Sequence, residues 1–154
     1  LREFEYAQMT IETVMDQGAY FEFKRHRMMT QTVQPLTALL GYATPKGIVA
    51  SGCEAEYRKV MDQAESLYRE LWAFNSDIAG YIVPNGFYRR VLFTLNLREA
   101  FTLCRLRAAE NAHFSIRRVA LKVHEAIGRI YPHLAAFIAV PEGVTWQDID
   151  RENF

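Results

Sequence analysis

Three consecutive residues near the N-terminus, Arg25, His26 and Arg27, concentrate positive charge directly after the aromatic segment 20–23. These side chains repel one another, and neighbouring residues on a helix point about 100° apart, so the triplet does not fit one packed helix face. Guanidinium groups suit phosphate oxygens or the carbonyl edge of a ring. The triplet therefore predicts an anion site, or else two solvated arginines beside a packed histidine.

A second group of basic and polar residues lies on a predicted helix that Asn96 caps and that runs through Arg107. Arg98 and Arg105 are seven residues apart and so share one side of this helix, whereas Arg107 points elsewhere. These side chains could form a polar wall beside a ligand.

Other kinds of chemistry find little support in the sequence. It shows no nucleophile elbow, Walker loop, G-x-G-x-x-G motif or carboxylate pair, which disfavours a hydrolase. His26, His113 and His124 lie in separate segments, so the sequence does not place them together. Cys53 and Cys104 are isolated, which predicts a loop thiol and a small buried residue in a reducing cytoplasm, with no structural metal.

The composition is that of one ordinary globular domain covering residues 1–154. Half of the residues are hydrophobic, 13% are aromatic and 23% are charged. The 18 acidic and 18 basic residues cancel, which argues against broad binding to nucleic acid. We expect a cytoplasmic protein without a membrane segment, because no apolar run reaches spanning length. The chain begins at Leu1 rather than at Met, so we expect it to be a piece of a longer protein.

The elements that must position these residues form an α+β fold with four main helices and a small antiparallel sheet. Helix 54–74 is the clearest, because its apolar residues recur at i, i+3, i+4 and i+7, which predicts a core face or an oligomer interface. The other predicted elements are a strand over 4–9, a helix from Ile11 that ends just before Arg25, an extended segment over 28–37, a loop over 39–52, a short helix between Ser76 and Pro84, a strand over 87–95, helices over 97–107 and about 112–131, a last apolar turn over 133–140 and a peripheral tail to Phe154.

With these elements in order, the chain resembles the flavin-dependent thymidylate synthases, the thymidylate synthase complementing protein family. That family carries a signature close to R-H-R-x-x-S-x-N-E-x-S-x-R-Y after an aromatic helix, and this chain has R-H-R-M-M-T-Q-T-V from Arg25 to Val33. About seventy residues later it has Val83-Pro84, an aromatic strand, Asn96-Leu97-Arg98 and Leu106-Arg107, followed by Ala112, Ile116 and Arg117. This order is similar to the family's A-R-x-x-L-P, strand, N-L-R, L-R and A-Q-W-E-I-R, and it covers nearly the whole chain.

The resemblance implies a small, strongly curved antiparallel sheet with long helices, assembled as a homotetramer whose active sites combine several subunits. It implies reductive methylation of dUMP to dTMP with FAD as cofactor and with methylenetetrahydrofolate and NADPH as co-substrates. By position, Arg25, His26, Arg27, Asn96 and Arg98 match residues that contact the flavin. Arg107 matches the catalytic arginine that reaches the pyrimidine and favours its polarised form.

The departures from the family pattern fall mostly on the nucleotide side. Val33, Pro35 and Thr37 stand where the family has Glu, Ser and Arg, and Gly80 replaces an arginine that binds the nucleotide phosphate. Glu22 replaces a glutamine, and two flavin-side positions become Thr102 and Asn111. Loss of several charge-assisted hydrogen bonds should weaken dUMP binding severely.

Three hypotheses follow from this pattern. The chain is a divergent synthase domain, such as one half of a duplicated chain whose partner half supplies the nucleotide ligands. Alternatively it is a flavoenzyme of the same fold with another substrate, or a non-catalytic assembly domain. In each case the aromatic segments 20–23 and 87–93 predict burial between subunits, and hence an oligomer.

Overall fold

The computed structural model describes residues 2–154 and confirms the α+β class. Short 3-10 turns occupy Arg2–Glu5 and Gly80–Ile82. The remaining elements in chain order are β1 (Gln8–Asp16), α1 (Gln17–Phe23), β2 (Thr30–Val33), α2 (Lys46–Ala50), α3 (Glu54–Phe74), α4 (Ser76–Ala79), β3 (Tyr88–Asn96), α5 (Leu97–Arg107), α6 (Phe114–Ile130), α7 (Pro132–Ala135) and α8 (Trp146–Asn153). None of the helices in the described residues is long and apolar enough to span a bilayer.

The sheet has three antiparallel strands in the order β1-β3-β2. β3 is central, and β1 pairs with it from Gln8↔Asn96 to Asp16↔Tyr88. Because strand side chains alternate, β3 points Val91, Phe93 and Leu95 into the core. These residues belong to the main hydrophobic cluster together with residues of α1, α5 and α6. This packing fixes the position of β3 and therefore of the start of α5, which follows it directly.

The junction between β1 and α1 is tied to the start of α6 by Asp16, which is 6% exposed. One carboxylate oxygen accepts a hydrogen bond from the Ala19 amide at 2.8 Å and so caps α1. The other accepts from the Ser115 hydroxyl in the first turn of α6. This carboxylate therefore fixes α1, which leads directly into the triplet, against α6.

Helix α3 has the predicted bounds. Met61, Ala64 and Tyr68 are buried in a second cluster with Ala38, Ala79 and Phe87. Val60, Leu67 and Trp72, which belong to the predicted apolar face, are exposed in the single chain. The periodicity thus predicted the helix correctly, but within one chain only part of its apolar face is covered.

The helix predicted from Ile11 is wrong in its first half. β1 continues to Asp16, and the helix begins only at Gln17. Every residue of β1, including Ile11 and Val14, is paired with β3, and this tertiary pairing outweighs the local helical spacing. The predicted strand over 4–9 overlaps β1 only at its end.

Two further predictions required correction. The loop over 39–52 contains α2, and the tail predicted to be peripheral contains α8. Helix α8 is capped by Thr145 and Asp148, and its Ile149 is 1% exposed in a third cluster with Ala120 and Leu121. The T-W-Q-D sequence is a capping-box signal with which α8 could have been predicted.

Candidate active site

His26 lies just past the end of α1 and is 6% exposed. Its Nδ1 is 2.7 Å from Oε1 of Glu99, and its Nε2 is 3.0 Å from Nε of Arg107. The Nε of an arginine can only donate, so Nε2 of His26 is the acceptor and the ring proton is on Nδ1. His26 therefore accepts from Arg107 at Nε2 and donates to Glu99 from Nδ1.

Arg107, in the last turn of α5, connects this histidine to α1. Its Nη1 donates to Oε2 of Glu22 at 2.6 Å, and its side chain is 19% exposed. The other oxygen of Glu22 lies 3.4 Å from Nη1 of Arg25. We call Glu22, His26, Glu99 and Arg107 the His26–Arg107 cluster. It joins α1, the triplet and α5 through ionic and charge-assisted contacts.

Asn96 holds the same cluster from the strand side. It is the last residue of β3 and the N-cap of α5, and its Oδ1 accepts from the Glu99 amide at 2.9 Å. Glu99 is therefore held at its backbone by Asn96 and at its carboxylate by His26, and it is 5% exposed. The role of Glu99 was not predicted from the sequence. The spacing that could have indicated it is an acidic residue three positions after a capping asparagine, although the Glu99 carboxylate bonds to His26 rather than to the cap.

The two arginines of the triplet are directed to solvent. The Arg25 side chain is 66% exposed and forms an ion pair with Glu22. Arg27 is exposed and forms no hydrogen bond or ion pair within residues 2–154. Both guanidiniums of the triplet are accessible to a ligand, Arg27 without a partner in residues 2–154 and Arg25 with one ion pair, whereas both nitrogens of His26 are already engaged within the chain.

Arg98 lies on the opposite side of α5 from Arg107. The two residues are nine positions apart, which at about 100° per residue places their side chains about 180° apart. Arg98 donates from Nη1 to Glu5, and this hydrogen bond lowers the pKa of the Glu5 carboxyl. The structure thus brings His26, Asn96 and Arg107 together through Glu99. A ligand that contacts both the triplet and Arg98 must bridge two chains or pass around the end of α5.

A sequence match over most of the chain shows the class of protein to which it belongs, the thymidylate synthase complementing proteins. Residues 1–133 match the family model described as thymidylate synthase complementing protein. The chain belongs to this family.

The relatives that the chain matches are longer than the chain. It is 34% identical over 137 residues to a UPF0159 protein of Chlamydia muridarum, covering 89% of this chain and 26% of that protein. It is 33% identical over 139 residues to a UPF0159 protein of Thermoplasma acidophilum, covering 89% and 28%. It is 27% identical over 142 residues to a flavin-dependent thymidylate synthase of Sulfolobus acidocaldarius, covering 88% and 54%. The chain thus spans about a quarter of the first two proteins and about half of the third.

The residues present fit FAD in part. The diphosphate of FAD needs cationic donors, and the exposed guanidiniums of Arg25 and Arg27 can provide them. Asn96 keeps its side-chain NH₂ group without a hydrogen bond in the described chain, whereas its Oδ1 is occupied. His26 has both ring nitrogens bonded within the chain, so it is suited to orienting the triplet rather than to contacting FAD. The described residues contain no group of His, Cys, Asp or Glu suited to a metal ion.

Proposed function

We propose that this chain is an FAD-dependent thymidylate synthase-type domain with an altered nucleotide side. The reaction would be reductive methylation of dUMP to dTMP, with methylenetetrahydrofolate and NADPH as co-substrates. The observation that carries the proposal is the hydrogen bond between Arg107 and His26, which joins residues 81 positions apart into one cluster. These residues belong to the two motifs that match the family's flavin and pyrimidine contacts.

On the flavin side, Arg25 and Arg27 would bind the anionic diphosphate, and Asn96 and Arg98 would contribute further contacts. His26 would orient the triplet, because Arg107 and Glu99 hold its ring from both nitrogens. FAD, when bound, supplies transfer of a hydride, while the protein supplies binding and orientation.

On the nucleotide side, the chain lacks charged ligands. Val33, Pro35 and Gly80 offer no cationic donor, and Glu22 already engages Arg107 at 2.6 Å. An anionic nucleotide would have to compete with this carboxylate for Arg107. We therefore propose that a homologous second domain supplies the phosphate ligands. The match to only 26% of the Chlamydia muridarum protein is compatible with this arrangement.

We further propose assembly into a homo-oligomer, such as a tetramer. The triplet and Arg98 lie on different sides of α5, so one flavin can contact both most directly between two copies. The outer face of the sheet exposes Val14 and Leu92 beside the ion pair of Glu12 and Arg90, a surface that a second copy could cover. Light scattering at micromolar concentration tests this, and a monomer would contradict it.

A non-catalytic assembly domain is the second candidate. It is favoured by the engagement of Arg107 with both Glu22 and His26, which leaves its guanidinium little freedom to reach a substrate. A flavoenzyme of the same fold with a different substrate is compatible with the same contacts, because the exposed guanidiniums of the triplet are proposed to contact the flavin rather than the substrate.

Two measurements separate these functions. The absorbance spectrum of the purified protein, with FAD added and excess removed, should show bound flavin for both enzyme hypotheses and none for an assembly domain. NADPH oxidation that depends on dUMP, measured alone and with a separately expressed homologous domain, should appear only for a thymidylate synthase. Bound flavin without dUMP-dependent oxidation in either mixture would favour the different-substrate enzyme.

A further inference from the structure

Glu99 is a buried carboxylate to which none of the matched motifs assigns a role. It follows Asn96-Leu97-Arg98 directly and is 5% exposed. A carboxylate removed from water costs free energy unless it finds a hydrogen-bond partner. Within residues 2–154 the Glu99 carboxylate bonds to Nδ1 of His26 at 2.7 Å, and the side chain of His26 is equally buried. The carboxylate is therefore committed to this imidazole rather than to solvent.

Glu99 and Arg107 lie on the same helix without touching. They are eight residues apart, which at 1.5 Å per residue separates them by about 12 Å along the axis of α5. Side chains on a helix lean towards its N-terminus, so Arg107 extends back in the direction of Glu99. His26, from the end of α1, fills the remaining interval, with Nε2 at 3.0 Å from Nε of Arg107. The imidazole thus connects two residues that the helix keeps apart.

The two hydrogen bonds of the imidazole depend on each other. While Glu99 accepts from Nδ1, Nε2 keeps its lone pair for the Nε–H group of Arg107. Without an acceptor at Nδ1, the ring proton can move to Nε2, where it would face Arg107 as a second donor. Loss of the Glu99 contact should therefore release Nε of Arg107, although Glu99 never contacts that residue.

The contact at Nε also determines which nitrogen Arg107 can present to a ligand. Nη1 donates to Glu22 at 2.6 Å, whereas Nη2 forms no hydrogen bond within residues 2–154. The Arg107 side chain is 19% exposed. A guanidinium is planar, so holding Nε and Nη1 fixes the direction of Nη2. The direction of this remaining donor therefore depends on His26 and Glu22 together.

We propose that Glu99 is a positioning residue for Arg107, which acts by fixing the tautomer of His26 and thereby the direction of Nη2 of Arg107. What Nη2 then contacts rests on the proposed function, but the effect of Glu99 on Arg107 does not. The competing role for Glu99 is a negative charge in the first turn of α5, where it would interact with the helix dipole. That role requires charge, whereas positioning requires an acceptor that reaches Nδ1.

The test separates reach from charge with two substitutions at one position. Glu99→Gln keeps the length of the side chain and an acceptor oxygen but removes the charge. Glu99→Asp keeps the charge but is shorter, so its carboxylate should no longer reach Nδ1. NMR of the isotope-labelled protein reads the tautomer of His26, assigned by removing the other three histidines in turn. It also reads solvent exchange of the Arg107 Nε proton, with Arg69, whose Nε donates to Glu65 on α3, as the control.

The wild type and Glu99→Gln should both carry the ring proton on Nδ1 of His26 and protect the Nε proton of Arg107. Glu99→Asp should show mixed tautomers and about tenfold faster exchange at Arg107, the scale of losing one hydrogen bond to a charged group. The Arg69 signal should be the same in all three proteins. Where dUMP-dependent NADPH oxidation is found, kcat/KM should fall about tenfold in Glu99→Asp and change by less than about twofold in Glu99→Gln.

Several results would overturn this assignment. A wild-type His26 with its proton on Nε2 would do so without any variant, so the answer does not depend on how well the variants fold. Unchanged exchange of the Arg107 Nε proton in Glu99→Asp would also exclude positioning. Equal changes in Glu99→Gln and Glu99→Asp would assign Glu99 the charge role instead. Absence of oxidation in every protein would contradict the proposed function alone, because the NMR signals require no ligand and still decide the role of Glu99.

Discussion

Arg107 donates from Nε to Nε2 of His26 at 3.0 Å, and this bond determines the protonation of the ring. Because Nε2 must accept, Nδ1 carries the proton and donates it to Glu99 at 2.7 Å. A proton on Nε2 would place two donors against each other and add a positive charge beside the guanidinium. The two contacts therefore hold the triplet in one orientation relative to α5.

The first prediction concerns the stability contribution of Arg107. Arg107→Ala leaves the buried Nε2 of His26 without a donor and removes the ion pair to Glu22, so the free energy of unfolding should fall by about 1–3 kcal/mol. Urea denaturation followed by circular dichroism measures this. Arg105→Ala, on the same helix but without a partner in the described chain, should change stability by less than about 0.5 kcal/mol. Equal losses in the two variants would contradict a structural role for the cluster.

The second prediction concerns flavin binding by the triplet. Arg27→Ala should weaken FAD binding by about 1.5–3 kcal/mol, the scale of a hydrogen bond to a charged group, and should leave stability unchanged, because Arg27 has no partner in the described chain. Flavin titration and a thermal melt provide the two readings. Arg98→Ala should weaken FAD binding comparably if one flavin contacts both residues. Negligible losses for Arg27 and Arg98 would return the triplet to its interpretation as solvated charge.

The third prediction concerns close packing at Gly86. A Cβ there would lie 2.6 Å from Oη of Tyr57 and 3.0 Å from Cε of Met61, and Tyr57 is held by its hydrogen bond to the carbonyl of Ala43 at 2.6 Å. Gly86→Ala should therefore destabilise the fold by about 1–3 kcal/mol. Gly47→Ala is the matched control, because nothing lies within 4 Å of a Cβ there and alanine favours α2. Chemical denaturation should show that Gly86→Ala lowers the free energy of unfolding and that Gly47→Ala raises it.

The fourth prediction concerns the two thiols. Burial raises the pKa of Cys104 to about 12, whereas Cys53 is exposed. At pH 8 iodoacetamide should label only Cys53 in the native protein and both cysteines in urea, as mass spectrometry can count. The folded pKa lies above the unfolded value, so stability is unaffected below about pH 8.5 and falls as the pH rises above it, because only the unfolded chain releases the proton. Rapid native labelling of Cys104 would disprove its burial.

The sequence by itself determined the elements whose signal is local. The apolar period predicted α3 with its correct ends, and Asn96 predicted the start of α5. Arg98 and Arg105 were expected on one side of α5 and Arg107 on another. In the structure Arg98 and Arg105 line the same cavity, and Arg107 belongs to the His26–Arg107 cluster. Helical geometry alone is sufficient for such statements, because residue spacing determines the direction of a side chain around the axis.

Only the tertiary structure decided what these side chains contact. The helical spacing after Ile11 was overridden by pairing of β1 with β3, a contact between segments about eighty residues apart. The same long-range packing brought Glu22 and Glu99 to Arg107 and His26. A predicted cluster of repelling cations is thereby a compensated network, from which the guanidiniums of Arg25 and Arg27 extend into solvent. Periodicity carries no information about partners on other elements, because these are brought together only when the sheet and helices bury a common core.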